Sequence, residues 1–189
     1  MSDNSLTLSL ARLPRALGST LHQDLVWVTP DDLGTPSMSA VPGVPLDVSV
    51  DFTSVEDGVL VQLTTSVDLI GECVRCLDEV RDHHDVSSAE VYFEPGAPAL
   101  TPTDDEDEDA EDLFVIGDRD TISIETQLRD AIVPLVDPRP LCAPDCAGLC
   151  DVCGEKWADL PEDHDHFVVD PRLASLASLL GEDSESGRS

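Results

Sequence analysis

Leu46-Asp-Val48-Ser-Val50-Asp-Phe52, then Glu56-Asp57-Gly58, then Val59-Leu-Val61-Gln-Leu63-Thr-Thr65-Ser-Val67-Asp-Leu69, is the stretch whose pattern sets the fold class. Apolar residues recur at every second position on both sides of the Asp-Gly pair. A period of two puts one set of side chains on a buried face and the other in water, the mark of a strand covered on one side. Two such runs joined across Asp57-Gly58 predict an antiparallel hairpin.

Working outward, the second strand delivers Cys73-Val-Arg-Cys76 at its end, and a third strand over 86–93 returns beside it, with Val86, Val91 and Phe93 as apolar points. Upstream, Leu6, Leu8 and Leu10 alternate with Thr7 and Ser9 and suggest a first strand. Arg12-Leu-Pro-Arg15 and Gly18 mark a turn, and residues 30–45, rich in Pro, Gly and Ser, read as a loop. Downstream, Pro98, Pro102 and the acidic run from Asp104 to Asp112 repel themselves and bury nothing, so 98–112 is expected to be a disordered linker.

Residues 123–133 are expected to be helical. Ile124, Leu128, Ala131 and Ile132 share one face, Ser123 is a fair N-cap, and Pro134 should stop the helix. A second, short helix is expected near the end, capped by Asp170, opened by Pro171 and closed before Gly181. The expected fold is α+β: an antiparallel hairpin or meander sheet, a central helix, a Cys-rich zinc-knuckle segment and a short C-terminal helix. Its parts are a β-rich 1–97, the linker 98–112, then 113–181 belonging to the same domain, and a disordered tail 182–189.

The chain of 189 residues carries 40 acids against 10 bases, a net charge of −30, and is only 4 % aromatic. Leu and Val must therefore supply the core. A surface this acidic disfavours nucleic-acid phosphates and attracts basic proteins. Acidity that serves only solubility is the plainer explanation of the same charge. No apolar run reaches 18 residues, and the first residues lack the basic and apolar regions of a signal peptide. A cytoplasmic, membrane-free protein is expected, and in a reducing compartment paired cysteines read as metal ligands before disulfides.

Those cysteines are Cys73 and Cys76, then Cys142, Cys146, Cys150 and Cys153, followed by His164-Asp-His166. Eight such ligands in pairs suit two tetrahedral zinc sites. Cys150-Asp-Val-Cys153-Gly154 is the strongest piece, because glycine after the second cysteine supplies the positive φ a knuckle turn wants. Pro144 and Gly148 argue against a helix across this segment. Three pairings stay open. The preferred one sets Cys73, Cys76, Cys142 and Cys146 against Cys150, Cys153, His164 and His166. A second joins Cys73, Cys76, Cys150 and Cys153. A third uses only Cys142, Cys146, Cys150 and Cys153. A structural zinc contributes roughly 10 kcal/mol or more to folding, which would offset an aromatic-poor core. Free thiols are the bland alternative. His83 and His84, beside Asp82 and Asp85, read as solvent-facing. No general base stands out next to an open ligand position, so catalysis is not expected.

The ordered motifs resemble the DUF177 family, also called the YceD-like large ribosomal RNA subunit accumulation proteins. The residues that carry the resemblance are Cys73-Val-Arg-Cys76-Leu77, the helix leading into Val133-Pro-Leu135, Leu141-Cys142 through Cys153-Gly154, and Asp170-Pro-Arg-Leu-Ala-Ser-Leu176. Family members often carry Cys-x-Cys where this chain has His164-x-His166, which favours a ligand role for both histidines. Some members lack most of the cysteines, which implies a structural zinc. The resemblance implies a non-enzymatic role in the accumulation or processing of large-subunit ribosomal RNA. Joined to the charge, it suggests an acidic escort whose partner is a basic ribosomal protein of the large subunit, the pre-ribosomal particle, or both, with direct nucleic-acid binding doubtful. Two alternatives stand beside it. One is an RNA-binding or RNA-processing factor, which would need the few arginines gathered into a strip. The other is a zinc reservoir or redox sensor.

Overall fold

The computed structural model describes residues 6–100 and 113–166. The expected C-terminal helix, the tail 182–189 and residues 101–112 of the expected linker, with their acidic run, lie outside the described residues. The chain divides into two compact units, Met1–Cys146 and Ala147–Ser189. The division falls inside the cysteine run, not at the acidic stretch.

In the first unit, the predicted hairpin is β4 (Pro45–Val55) and β5 (Gly58–Glu72). Asp57, at φ 65°, makes the turn, a left-handed conformation that Asp tolerates better than most residues. Strand β2 (Thr20–Val28) pairs antiparallel with the outer side of β4. Strand β5 is longer than β4, so β3 (Met38–Ala40) takes over the same edge beyond the end of β4, at Leu69–Gly71. The other edge of β5 is paired over its whole length by β6 (Glu79–Phe93). The third strand thus starts seven residues before the expected 86–93. The loop reading of 30–45 holds apart from the three residues of β3 and Pro45, where β4 begins. Strand β1 (Thr7–Ser9), expected from its alternation, pairs with β7 (Thr121–Ser123) in a separate two-stranded sheet.

The alternation places the core. Leu46, Val48, Val50 and Phe52 of β4 are buried on one face, as are Val59, Val61, Leu63, Val67 and Leu69 of β5. Trp27, Val86 and Tyr92 join them from β2 and β6. Each fully buried aliphatic side chain stabilises by about 1.5–3 kcal/mol. Helix α1 (Glu125–Ile132) contributes Leu128 and Ile132 to this core, one helical turn apart, with Ile124 beside them.

Ser123 does not cap that helix. It is the last residue of β7, paired with Thr7, and Ile124 holds the cap position without a side-chain hydrogen bond. Pairing in the small sheet holds Ser123 extended and so delays the helix. Its carbonyl instead accepts the Tyr92 hydroxyl at 3.0 Å. At the other end the helix gives way to a 3-10 turn over Val133–Leu135 that contains Pro134. Buried Gln127 donates its Nε2 to the Val61 carbonyl at 3.1 Å and to Ser88 at 3.3 Å, tying the helix to β5 and β6.

Candidate metal centres

The loop over residues 73–78 is the link between β5 and β6, so strand pairing on both sides fixes its ends. Cys73 N–H donates to the Asp78 carbonyl at 2.7 Å, and Leu77 N–H donates to the Cys73 carbonyl at 2.9 Å. These bonds fold the loop into a knuckle with both sulfurs on its inner side. Leu77 takes φ 62° to close it. The segment that follows α1 comes back against this knuckle. Val74 N–H donates to the Pro140 carbonyl at 3.0 Å, and Arg75 Nη1 donates to the Cys146 carbonyl at 2.7 Å.

The result is a foursome of Cys73, Cys76, Cys142 and Cys146, with all sulfurs within 4.8 Å of one another. Cys73 and Cys146 are 3.8 Å apart and Cys76 and Cys142 3.4 Å. Neither pair is a disulfide; all six cysteines are free. A tetrahedron with metal–sulfur bonds of about 2.3 Å has edges of about 3.8 Å, so this foursome could hold a metal ion. The thiols already behave unequally. Backbone N–H groups, that of Cys142 foremost and those of Cys76 and Arg75 after it, pull the Cys73 thiol down to about 6 against the cost of burial. Cys76 feels a favourable N–H from Asp78, yet burial and its neighbouring thiols push it up. Cys142 gains from Cys76 but is raised overall by Cys146, burial and Cys73. Four thiols this close cannot all ionise alone; a divalent cation would replace the protons.

The second unit holds the other foursome, Cys150, Cys153, His164 and His166, again within 4.8 Å. Its knuckle repeats the first bond for bond. Cys150 N–H donates to the Glu155 carbonyl at 2.7 Å, and Gly154 N–H donates to the Cys150 carbonyl at 2.9 Å. Leu149 and Lys156 bridge at its base. The N–H of Cys153, then that of Val152, lower the Cys150 thiol. Cys153 Sγ lies 3.6 Å from His164 Nε2. The two histidine rings are 4.4 Å apart at 89°, and Trp157 packs edge-on to His164 at 5.4 Å. His166 Nε2 is buried without a hydrogen-bond partner among the described residues. An orphaned imidazole nitrogen beside two thiols is what a bound cation would satisfy.

Of the three pairings open in the sequence, the coordinates bring together the first. Nothing in the local spacing could have chosen it, because the fold alone carries residues 138–146 back to the β5–β6 loop. The role of Arg75 in fastening that return was also missed, although its place inside the Cys-x-x-Cys could have flagged it. His83 and His84 belong to neither foursome. His83 Nδ1 meets Asp68 at 2.6 Å and His84 Nε2 meets Asp82 at 3.0 Å. His22 likewise pairs with Asp51 at 2.8 Å.

At the residue that closes each knuckle, Gly154 at φ 76° corresponds to Leu77 at φ 62°. A side chain in the left-handed region costs about 1 kcal/mol, and glycine avoids it. Nothing lies within 4 Å of a Cβ built on Gly154, so conformation alone decides that substitution. Gly154→Ala is expected to weaken metal affinity at the second centre about fivefold. Leu77→Gly is expected to leave the first centre unweakened or tighten it by up to about fivefold. Competition with a chromogenic chelator reads both. A tighter second centre in Gly154→Ala would contradict the strain argument.

A family model described as "Large ribosomal RNA subunit accumulation protein YceD" matches residues 61–180. An uncharacterized protein of Mycobacterium tuberculosis (strain ATCC 25618 / H37Rv) is 34 % identical over 183 residues, covering 97 % of this chain and 85 % of the relative. An uncharacterized protein of Mycobacterium leprae (strain TN) is 33 % identical over 141 residues, 75 % of this chain and 62 % of the relative. The uncharacterized protein YlbN of Bacillus subtilis (strain 168) is 29 % identical over 124 residues, 65 % of this chain and 67 % of the relative. No solved structure matches.

Proposed function

The chain belongs to the YceD family of large ribosomal RNA subunit accumulation proteins, and from that membership we propose that it is a non-enzymatic, cytoplasmic factor of large-subunit biogenesis that escorts a basic ribosomal protein. Both foursomes hold zinc in this reading, each as a structural cross-link. Four protein ligands complete a tetrahedral shell, so zinc bound there supplies rigidity and has no open position for substrate.

The observation that carries the escort reading is where the few cations go. The net charge is −30. Arg15 lies between Glu94 and Asp120, Arg81 pairs with Glu79, and Arg129 spans Asp32 and Glu125. Arg75 is engaged by the Cys146 carbonyl. With Arg15, Arg81 and Arg129 neutralised in place, three of the ten Lys and Arg are withdrawn from any strip for RNA phosphates, whereas the surplus carboxylates suit a Lys- and Arg-rich protein. None of the helices among the described residues is long and apolar enough to cross a membrane.

The test is retention of proteins extracted from the large subunit on the immobilised, metal-loaded chain. The expected result is one or a few small basic proteins held at low salt and released as salt rises, the mark of charge-driven association. Retention of ribosomal RNA fragments in their absence would overturn the reading, as would retention of nothing at low salt. A second reading, an exchangeable or redox-sensing metal, draws on the exposure of Cys153 at the second centre. Mild oxidant releasing one metal without changing the fold of the first unit would favour it.

A further inference from the structure

Among the described residues, strand β6 is an edge strand with an open side. Its inner side is paired with β5 from Glu79 to Phe93. At its C-terminal end the outer side is occupied: Phe93 N–H donates to the Phe114 carbonyl at 2.8 Å, and Ile116 N–H donates to the Phe93 carbonyl at 2.9 Å. Outward-pointing groups repeat every second residue in a regular strand. The N–H and C=O groups of Val91, Ala89, Ser87, Asp85 and His83 therefore also point outward. Among the described residues no backbone group pairs with them. An unpaired strand edge is a ready template for another strand.

Charge and shape say which strand fits. From Glu79 to Val91 the edge carries four carboxylates, Glu79, Asp82, Asp85 and Glu90, against one guanidinium, Arg81, already paired with Glu79. Where the occupied part begins, a cleft of about 550 Å³ opens between the strand and α1, lined by Tyr92, Phe114, Val115, Ser123, Thr126 and Asp130. Phe114 stacks on Tyr92 at 4.9 Å. Burial raises the Tyr92 hydroxyl above its ordinary range, and the charges of Glu90 and Asp130 add to this; Asp130 itself lines the cleft. An apolar ring wall ending in carboxylates takes the methylene stem and charged head of Lys or Arg. The acidic run from Asp104 to Asp112 joins the chain directly at Leu113, on the rim of the cleft.

We propose that an extended, Lys- and Arg-bearing segment of a protein partner docks on this molecule as an added strand along β6, with one basic side chain in the cleft at Phe114 and Asp130. The proposal rests on the reading that the partner is basic, and names where it binds. Backbone pairing gives affinity whatever the sequence, while the carboxylates select for positive charge. An RNA strand finds neither: it has no amide edge to pair, and its phosphates meet carboxylates.

The probe is a capped 12-residue peptide alternating Lys and Val, added to the full-length, metal-loaded protein at low salt. Binding is expected to slow amide exchange at Val91, Ala89 and Ser87 about tenfold or more. Methylating the peptide's pairing amides should weaken binding about tenfold, and Asp130→Asn about threefold. Ala89→Pro removes an outward N–H and leaves the β5–β6 ladder intact, so it should match the N-methylated peptide. Should that variant misfold, the N-methylated peptide on the native chain decides alone. Binding without protection of these amides, equal binding of the N-methylated peptide, or preference for a uridine oligonucleotide over the peptide would each overturn the proposal. If Ala89→Pro folds and still retains large-subunit proteins as well as the parent does, the edge is wrong while the escort reading stands. If the parent retains none, the escort reading itself has failed.

Discussion

Stripping metal from the first centre is expected to lower the thermal midpoint of the first unit by ~10–20 °C. The reasoning starts from what the foursome joins. Cys73 and Cys76 sit in the loop between the two longest strands, β5 and β6, while Cys142 and Cys146 belong to the segment that leaves α1. Without an ion, the return is held to the knuckle by a few polar bonds, among them Val74 to Pro140, Arg75 to Cys146 and the weak sulfur contacts of the foursome. Structural zinc binds with an apparent free energy of about 10 kcal/mol or more at neutral pH. If only ~5 kcal/mol of this appears as stability, it rivals the whole margin of a typical domain, and each kcal/mol is worth about 2–4 °C in a chain of this size. Melting with and without a strong chelator, under reducing conditions, measures the effect. Cys76→Ser should reproduce it without chelator. Hydrogen exchange should quicken first at the start of β6, next to the knuckle. An unchanged midpoint after complete metal removal would mean that the sheet holds the knuckle unaided.

The second large effect concerns the core. Trp27→Ala is expected to cost about 3–5 kcal/mol. Trp27 is 1 % exposed, stands opposite Leu46 on the sheet, and is among the few aromatic residues in a chain that is only 4 % aromatic. Its neighbour Val26, on the opposite face of β2 and 58 % exposed, provides the control. Val26→Ala should change stability by no more than about 0.5 kcal/mol. Urea unfolding followed by circular dichroism separates them, and metal content should be the same in both. Equal losses in the two variants would contradict the assignment of faces.

The sequence was most legible where one periodicity ran undisturbed. The alternation in β4 and β5 gave the hairpin, its turn and its buried face. Strand β2 escaped notice because Gln23 occupies the half-buried position between Leu21 and Leu25, breaking the apolar rhythm. The first half of β6 was hidden for a related reason. Its inward-facing positions include Asp82 and His84, at the rim of the core, so this part of a real strand lacked an apolar alternation and read only as a polar stretch. Ser123 looked like a cap because its neighbours are helical, but pairing with Thr7 is a long-range fact no local pattern carries.

The candidate metal ligands were legible as residues and not as foursomes. Spacing identifies a knuckle, since two cysteines three apart can fold around one ion. It cannot say which knuckle meets which partner pair, because 65 residues lie between Cys76 and Cys142 in the sequence. Topology supplies that answer: β5 and β6 end at the first knuckle, and the chain after α1 returns to it. Leu77 was legible as part of the first motif but, for want of a glycine, its left-handed conformation was not; its φ of 62° shows it.

Metal stoichiometry of the intact chain, beside Cys73→Ser and Cys150→Ser, tests most directly whether there are two independent centres. Each foursome lies within its own compact unit, so each variant should lose one ion and keep the other. The predicted result is two zinc ions per chain in the parent and one in each variant. A single ion in the parent, lost in both variants, would contradict it, because one centre would then draw on both knuckles.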